Sequence, residues 1–107
     1  MSKNYISEFC KPLKLQIVCT KKYWEHIVNK KHPEIKGKED DVRKSIKAPL
    51  EIRKSKVDDK VFLIYNIDTE HYLCVVVKKA DEGGFIITCY FTGKVKEGEL
   101  IWRRKTD

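Results

Sequence analysis

The feature that most constrains this fold is a series of three segments in the second half of the chain. Within each segment, the side-chain pattern has a period of two residues. The segments are rich in β-branched and aromatic residues, which is typical of β-strands, and they cover residues 61–67, 72–78 and 85–91. Short turns at residues 68–70 and 81–84 separate them. A parallel crossover needs a dozen or more residues, so connections this short predict antiparallel hairpins.

Two helices are predicted in the first half of the chain. Thr20 stands at the N-cap position of the first, which covers residues 21–31 and has one apolar face. This helix ends at His32, because a residue that precedes proline is disfavoured in the α region. The second covers residues 38–47, with acidic residues in its first turn and lysines in its last. Short strands are predicted at residues 13–19, 50–55 and 99–102.

These elements predict one α+β domain in which N-terminal helices pack on a four- to five-stranded antiparallel sheet. A chain of 107 residues has the size of one ordinary domain, and no internal repeat or flexible linker divides it. The parts of this domain are a loose lead-in over residues 1–12, a helical part over 20–48 and the sheet over 50–102.

Composition places the chain among globular proteins with a heavily charged surface, since 41% of its residues are hydrophobic and 36% are charged. The longest unbroken apolar run, residues 72–77, is far shorter than the roughly 20 residues that cross a bilayer. The first four residues do not begin a signal peptide. We therefore expect a cytoplasmic protein with no membrane partner.

The net positive charge belongs to one half of the chain. Residues 1–60 contain 16 lysines and arginines against 9 acidic residues, whereas residues 61–107 contain 7 of each, so the first half carries all of the formal charge of +7. This asymmetry favours a polyanionic partner such as RNA, because a positive surface attracts phosphates. A solvated lysine-rich surface without such a partner would have the same composition.

The cysteines and glycines exclude several kinds of site. Four widely spaced cysteines, with no Cys-x-x-Cys pair, fit neither a disulfide framework nor a zinc site. Three of them, Cys19, Cys74 and Cys89, fall in predicted strands, where a thiol behaves as a small buried apolar group. The sequence also lacks a P-loop, a Rossmann fingerprint and a carboxylate-rich cluster for divalent metals. We therefore expect no cofactor.

Two histidines of the first half are candidates for proton transfer. His26 lies beside Tyr23 and Lys30 at the edge of the apolar helix face, where an imidazole meets the sheet and still reaches solvent. A border histidine that only packs and hydrogen-bonds would occupy the same position. His32 precedes a proline, which holds it and Glu34 in a defined orientation. A helix-ending turn with two solvated polar groups has the same pattern. The two histidines are six residues apart, so a metal site is discounted.

Two pairs of strand residues complete the candidates. Arg53 and Lys54 point to opposite faces of the strand over residues 50–55. An arginine beside a phosphate binds it bidentately and stabilises a pentacovalent transition state, although cations that protect an edge strand are an alternative. Thr88 and Tyr90 share one face of their strand, where they can orient a phosphate or hold a base. Ordinary strand residues on a half-exposed face would look identical.

The order of these motifs resembles the phage-associated members of the Barnase–EndoU–Colicin–RelE-like nuclease superfamily. The resemblance covers residues 22 to 102 and is carried by Trp24-x-His26-Ile27, His32-Pro33-Glu34, Ile46-x-x-Pro49-x-x-Ile52 and the strands at 72–77 and 85–90. That superfamily combines N-terminal helices with a four-stranded antiparallel sheet, and its characterised members are mostly metal-independent ribonucleases, many of them toxins. Its members commonly have Thr-Ala-Tyr in the last motif, where this chain has Cys89 in the middle.

The resemblance implies a metal-independent endoribonuclease, toxin-like or prophage-encoded, in which the 2′-hydroxyl of the RNA is the nucleophile. Such an enzyme needs a base, an acid and cations that stabilise the phosphorane. Four residues are predicted to be catalytic, namely His26, Arg53, Thr88 and Tyr90. Four more are predicted to bind the substrate, namely Lys22, Lys30, His32 and Lys54. RNA and an antitoxin or immunity protein are the expected partners.

Two other functions fit the same residues. A non-catalytic RNA-binding module would show salt-sensitive binding without cleavage. A protein-interaction domain would bind its partner through Trp24, Trp102 and the aromatic strand face. The nuclease hypothesis requires the four residues predicted to be catalytic to converge on one groove.

Overall fold

The computed structural model describes residues 4–95 and 98–105. In this part of the chain, seven strands accompany two short α-helices, a π-helical turn (the π turn) and a 3-10 turn. In chain order, the elements are β1 (Asn4–Cys10), β2 (Leu15–Thr20), α1 (Lys21–His26), the π turn (Ile27–Lys31), the 3-10 turn (Pro33–Ile35), α2 (Glu39–Lys47), β3 (Glu51–Lys54), β4 (Val61–Ile67), β5 (Tyr72–Lys79), β6 (Gly84–Thr92) and β7 (Glu99–Arg103).

The described strands form one mixed sheet in the order β1-β2-β6-β5-β4-β3-β7. Neighbouring strands are antiparallel except for β2 and β6, which pair in parallel, with Ile17 opposite Gly84 and Val18 opposite Phe85. The predicted fold, N-terminal helices on a four- to five-stranded antiparallel sheet, is therefore wrong. The antiparallel meander of β4, β5 and β6 that was predicted from their spacing is confirmed within the larger sheet.

The error arises mainly in the first twelve residues, where a strand replaces the predicted lead-in. β1 forms an antiparallel hairpin with β2, and its Ile6 and Cys10 are fully buried. A bulge between Asn4 and Ile6 breaks the alternation that would reveal a strand. Lys14 closes the hairpin with a φ of 57°, a left-handed conformation for which the sequence offers no glycine or asparagine as a signal.

The two faces of the sheet are covered differently. The face under the helices, which we call the helix face, carries the main core, where Trp24, Ile27, Val42 and Ile46 pack on the strands. The opposite face, which we call the second face, carries a smaller core of Leu63, Tyr65 and Cys74. Val95 lies in the connection between β6 and β7. It packs against this smaller core and helps to cover it.

The helical segment is divided into three short pieces that together lead to His32. Thr20 caps α1 as predicted, since its hydroxyl oxygen accepts a hydrogen bond from the Tyr23 amide at 3.1 Å. The helix continues as a π turn, in which the His32 amide donates to the Ile27 carbonyl at 2.8 Å. π turns are frequent at functional sites.

In the described part of the chain, no helix has the length and apolar character that crossing a membrane demands.

All four cysteines belong to the described residues, and they are buried and form no disulfide. Burial raises the pKa of Cys89 to about 12 and that of Cys19 to about 11, because apolar surroundings disfavour the charged thiolate. The neighbouring thiols of Cys19 and Cys74 and the Glu34 carboxylate add to the shift at Cys89. The thiols therefore act as apolar core groups.

The parallel junction requires a glycine at position 83. Gly83 has a φ of +70°, and a Cβ atom there would lie 2.6 Å from the Gln16 carbonyl oxygen of β2. We expect Gly83→Ala to lower the free energy of unfolding by at least about 2 kcal/mol, because left-handed strain of roughly 1–2 kcal/mol adds to a backbone clash. Gly37→Ala is the matched control, since Gly37 has a φ of +80° but nothing within 4 Å of the added carbon. Equal losses for the two variants in urea unfolding would contradict the close approach of β2 and β6.

Candidate functional site

The candidate site lies at the edge of β6, where that strand diverges from β2. Within the described residues, β2 pairs with only Gly84 and Phe85 of β6. Further along, the π turn and the 3-10 turn contact β6 instead of a strand. Tyr23 bridges the divergence, because its hydroxyl donates a hydrogen bond to the Ile87 carbonyl oxygen at 2.7 Å. The edge therefore places side chains of the helical segment next to those of β6.

His32 is the histidine that this arrangement places against β6. Its ring centroid lies 5.4 Å from that of Tyr90, with the ring planes inclined at 36°. Its Nδ1 lies 3.3 Å from Oε2 of Glu34, and one third of its side chain remains exposed. A carboxylate beside Nδ1 favours the tautomer with the proton on that nitrogen, which leaves Nε2 as the proton acceptor. This pair has the chemistry of a general base with an orienting carboxylate.

Thr88 lies two residues before Tyr90 on the same strand. Both belong to the second face, since Thr88 stands opposite Val76 and Tyr90 opposite Cys74 in β5. The Thr88 hydroxyl oxygen is buried and has no hydrogen-bond partner among the residues described. A buried hydroxyl without a partner costs about 1–3 kcal/mol, so it is uncommon in native proteins. Because this oxygen has no exposed surface, a bound group can hydrogen-bond it only when the side chains that cover it move.

A positive charge stands at the same edge. Lys31 Nζ donates to the Ile87 carbonyl oxygen and to the Tyr23 hydroxyl oxygen, each at 3.3 Å. It also lies 5.6 Å from the centre of the Tyr23 ring, which favours a cation. Sequence reasoning did not single out Lys31, because it assumed an α-helix up to this residue. The available signal was its position directly before the His-Pro pair.

His26, the predicted proton carrier, lies in the helix layer. It is the last residue of α1 and is exposed, and its ring centroid lies 5.6 Å from that of Tyr23. Thr88 and Tyr90 belong to the other face of the sheet. His26 therefore approaches this edge through its contact with Tyr23, whereas the His32 ring lies beside Tyr90 itself.

Arg53 shares the second face with Thr88 but not its surroundings. Arg53, Leu63, Val76 and Thr88 stand opposite one another across four neighbouring strands, so Arg53 is three strand spacings, about 14 Å, from Thr88. Its Nε lies 2.6 Å from a Glu51 carboxylate oxygen, and Glu51 is only 4% exposed. The Arg53 guanidinium therefore serves an ion pair within the fold.

The predicted substrate-binding lysines are also dispersed. Lys22 and Lys30 are exposed on α1 and on the π turn. Lys54 lies at the other end of the sheet and lines a separate groove of about 550 Å³ together with Lys60 and Lys79. Of the eight predicted site residues, the structure brings together His32, Thr88 and Tyr90, whereas Arg53 and Lys54 lie elsewhere on the sheet and His26 lies against Tyr23. The predicted convergence of His26, Arg53, Thr88 and Tyr90 on one groove is therefore not observed, and a nuclease mechanism at this edge needs a different set of residues.

Metal-ligating side chains and similarity to known proteins are the two remaining indications of what this site could hold. Among the residues described, no three histidine, cysteine or acidic side chains are grouped so that they could bind a metal ion. Comparison with known proteins gave no match: no family model fits the chain, and no curated protein or solved structure is significantly similar to it. A functional assignment therefore depends on the geometry of the site itself.

Proposed function

We propose that the protein is an endoribonuclease that cleaves single-stranded RNA at the edge of β6, with His32 as the group that exchanges protons. The observation that carries this proposal is the contact between the His32 and Tyr90 rings beside the unpartnered hydroxyl of Thr88. Glu34 orients the imidazole from the other side. His32, Tyr90, Thr88 and the Lys31 cation thus lie within one short stretch of the β6 edge.

These groups have distinct roles in the cleavage of RNA. Nε2 of His32 removes the proton of the 2′-hydroxyl, and the freed oxygen attacks the adjacent phosphorus. The bond from phosphorus to the 5′-oxygen breaks, and that oxygen leaves with a proton for which the Tyr90 phenol is the donor. Lys31 offsets the charge that develops on the phosphate, and Thr88 donates a hydrogen bond to a phosphate oxygen once the substrate displaces the side chains that cover its hydroxyl. The products are a 2′,3′-cyclic phosphate and a 5′-hydroxyl end.

Charge supports RNA as the substrate. The formal net charge of +7 arises in residues 1–60, and Lys30, Lys31, Lys36 and Lys38 flank His32 in that half. Lys38 Nζ lies 6.0 Å from the centre of the Phe91 ring, which packs against the main core, so this second cation stands on the helix side of β6. Such cations attract a phosphate backbone and release its counterions on binding.

The test is incubation of the purified protein with a single-stranded RNA oligonucleotide in EDTA. We expect cleavage with 2′,3′-cyclic phosphate ends, because the 2′-hydroxyl is the nucleophile and no step uses a metal ion. The DNA oligonucleotide of the same sequence is the control and should remain intact, since it lacks that hydroxyl. Cleavage of the DNA, or products with 3′-hydroxyl ends, would contradict the mechanism. Tight RNA binding without cleavage would identify a binding module instead.

A further inference from the structure

Beyond the site at β6, two aromatic rings are exposed on the second face. Phe9 of β1 is 51% exposed and Phe85 of β6 is 43% exposed. Phe9 stands opposite Gln16 of β2, and Phe85 stands opposite Val18 of β2 and Lys78 of β5. The neighbours of these residues along their strands, among them Cys10 and Ile86, point into the main core, so the two rings lie on the side away from the helices.

A groove between the diverging strands lies next to Phe85. It has a volume of about 320 Å³, and its walls are mainly apolar, with Val18, Thr20, Tyr23, Phe85 and Ile87 among the residues that line it. Tyr23 and Ile87 are the same residues that Lys31 contacts at the candidate site. The groove therefore continues directly from the candidate site towards Phe85.

Resting on the proposed function, we infer that this surface holds the unpaired bases of single-stranded RNA, with one base stacked on Phe85 and another on Phe9. Interfaces for single strands combine aromatic rings, on which bases stack, with cations that follow the phosphates. Lys31 stands at one end of the groove. Lys78 lies opposite Phe85 in the neighbouring strand, and its Nζ forms an ion pair with Oδ2 of Asp58 at 3.1 Å. The Lys31 charge at the end of the groove, which a phosphate would neutralise, thus favours a nucleic acid over an apolar protein partner.

The spacing of the residues defines the class of substrate. Phe85 and Thr88 stand opposite Lys78 and Val76, which are two residues apart in β5, so the two are about 7 Å apart along the bulged strand β6. A base on Phe85 therefore belongs to a nucleotide that flanks the scissile phosphate. Duplex RNA cannot present its bases to a flat aromatic surface, because they are stacked and paired. The inferred substrate is a single strand that extends beyond the two nucleotides of the cleaved bond.

The experiment compares the wild type with Phe85→Ala, Phe9→Ala and Phe85→Tyr. Fluorescence anisotropy gives the Kd for a single-stranded oligonucleotide that carries a 2′-deoxy block at each position, measured over a range of salt concentrations. We expect each alanine variant to raise the Kd roughly 5- to 150-fold, the range for the loss of one stacked base. The salt slope should stay unchanged, since no phosphate contact is lost. Phe85→Tyr should bind like the wild type.

Val57→Ala is the matched control, because Val57 is 96% exposed and lies in the connection between β3 and β4. Unchanged affinity in Phe85→Ala and Phe9→Ala would overturn the inference even if the wild type cleaves RNA. The inference is also overturned if Phe85→Ala keeps its affinity for RNA and instead converts a dimer of the protein to a monomer in gel filtration. Conversely, aromatic-dependent binding by a wild type that cleaves no RNA would support the binding surface and contradict the proposed enzyme.

Discussion

Replacing His32 with alanine should reduce the rate of RNA cleavage about 10²- to 10⁴-fold, the usual contribution of a positioned general base. The affinity for RNA should change little, because the loss concerns proton transfer in the transition state. The variant should also fold, since one third of the side chain is exposed and its main contacts are Glu34 and Tyr90. Single-turnover cleavage kinetics of the wild type and the variant measure this effect.

The other two histidines are matched controls for this result. His26 is exposed at the end of α1, and His71 is exposed between β4 and β5. Substitution of either residue by alanine should leave the rate within about threefold of the wild type, since both side chains are exposed and neither belongs to the proposed reacting groups. If His26→Ala abolishes cleavage and His32→Ala does not, the role predicted from the sequence is correct and the one argued from the structure is wrong.

Replacing Trp24 with alanine should lower the free energy of unfolding by about 3–5 kcal/mol, the range for truncating a large buried aromatic residue. Trp24 is 4% exposed. Among the six residues of α1, all of which the structure describes, it is the one that is buried. A helix this short is unstable on its own, so its position depends on packing. Domains are stable by only about 5–15 kcal/mol, so this loss is a large part of the total. Urea unfolding measures it.

The control for Trp24 is again Val57→Ala, which removes apolar atoms from a 96% exposed side chain and should change stability by less than about 0.5 kcal/mol. If Trp24→Ala costs less than about 1 kcal/mol, α1 is not held to the sheet by this residue. The placement of the π turn and of His32, which follow α1 in the chain, would then need another explanation.

The parts of the fold that were predictable are those with local causes. Thr20 caps α1 through a hydroxyl three residues from its partner amide, and the meander follows from turns too short for a crossover. The pairing of β2 with β6 was not predictable, because residues far apart in sequence meet over only two pairs. β1 was missed for a local reason, a bulge and a turn at Lys14 without glycine.

In the candidate site, too, the predictable features are those with local causes. The period of two correctly placed Thr88 and Tyr90 on one face of β6. The strand bulges between Ile86 and Thr88, so Ile87 stands outside the regular pairing and Ile86 is the residue buried in the core. The role of His32 could not be decided, because its approach to Tyr90 depends on the π turn and on the divergence of β2 from β6. The π turn is a local departure from α-helical pairing, and the divergence is a tertiary feature.

The nuclease resemblance stays a prediction, since no comparison supports or refutes it. The fold that it implies differs from the one observed, which has a seven-stranded mixed sheet over the described residues. The assignment of the site therefore rests on the contact of His32 with Tyr90, the buried Thr88 hydroxyl and the Lys31 cation.

The central claim is that RNA engages the edge of β6 at His32. The most direct measurement follows the imidazole NMR signals of His26, His32 and His71 as a single-stranded RNA with a 2′-deoxy block at each position is added. We expect the His32 signals, together with the ring signals of Tyr90, to shift in a saturable manner, while those of His26 and His71 stay near their starting values. Shifts at His26 or His71 with none at His32 would contradict the claim.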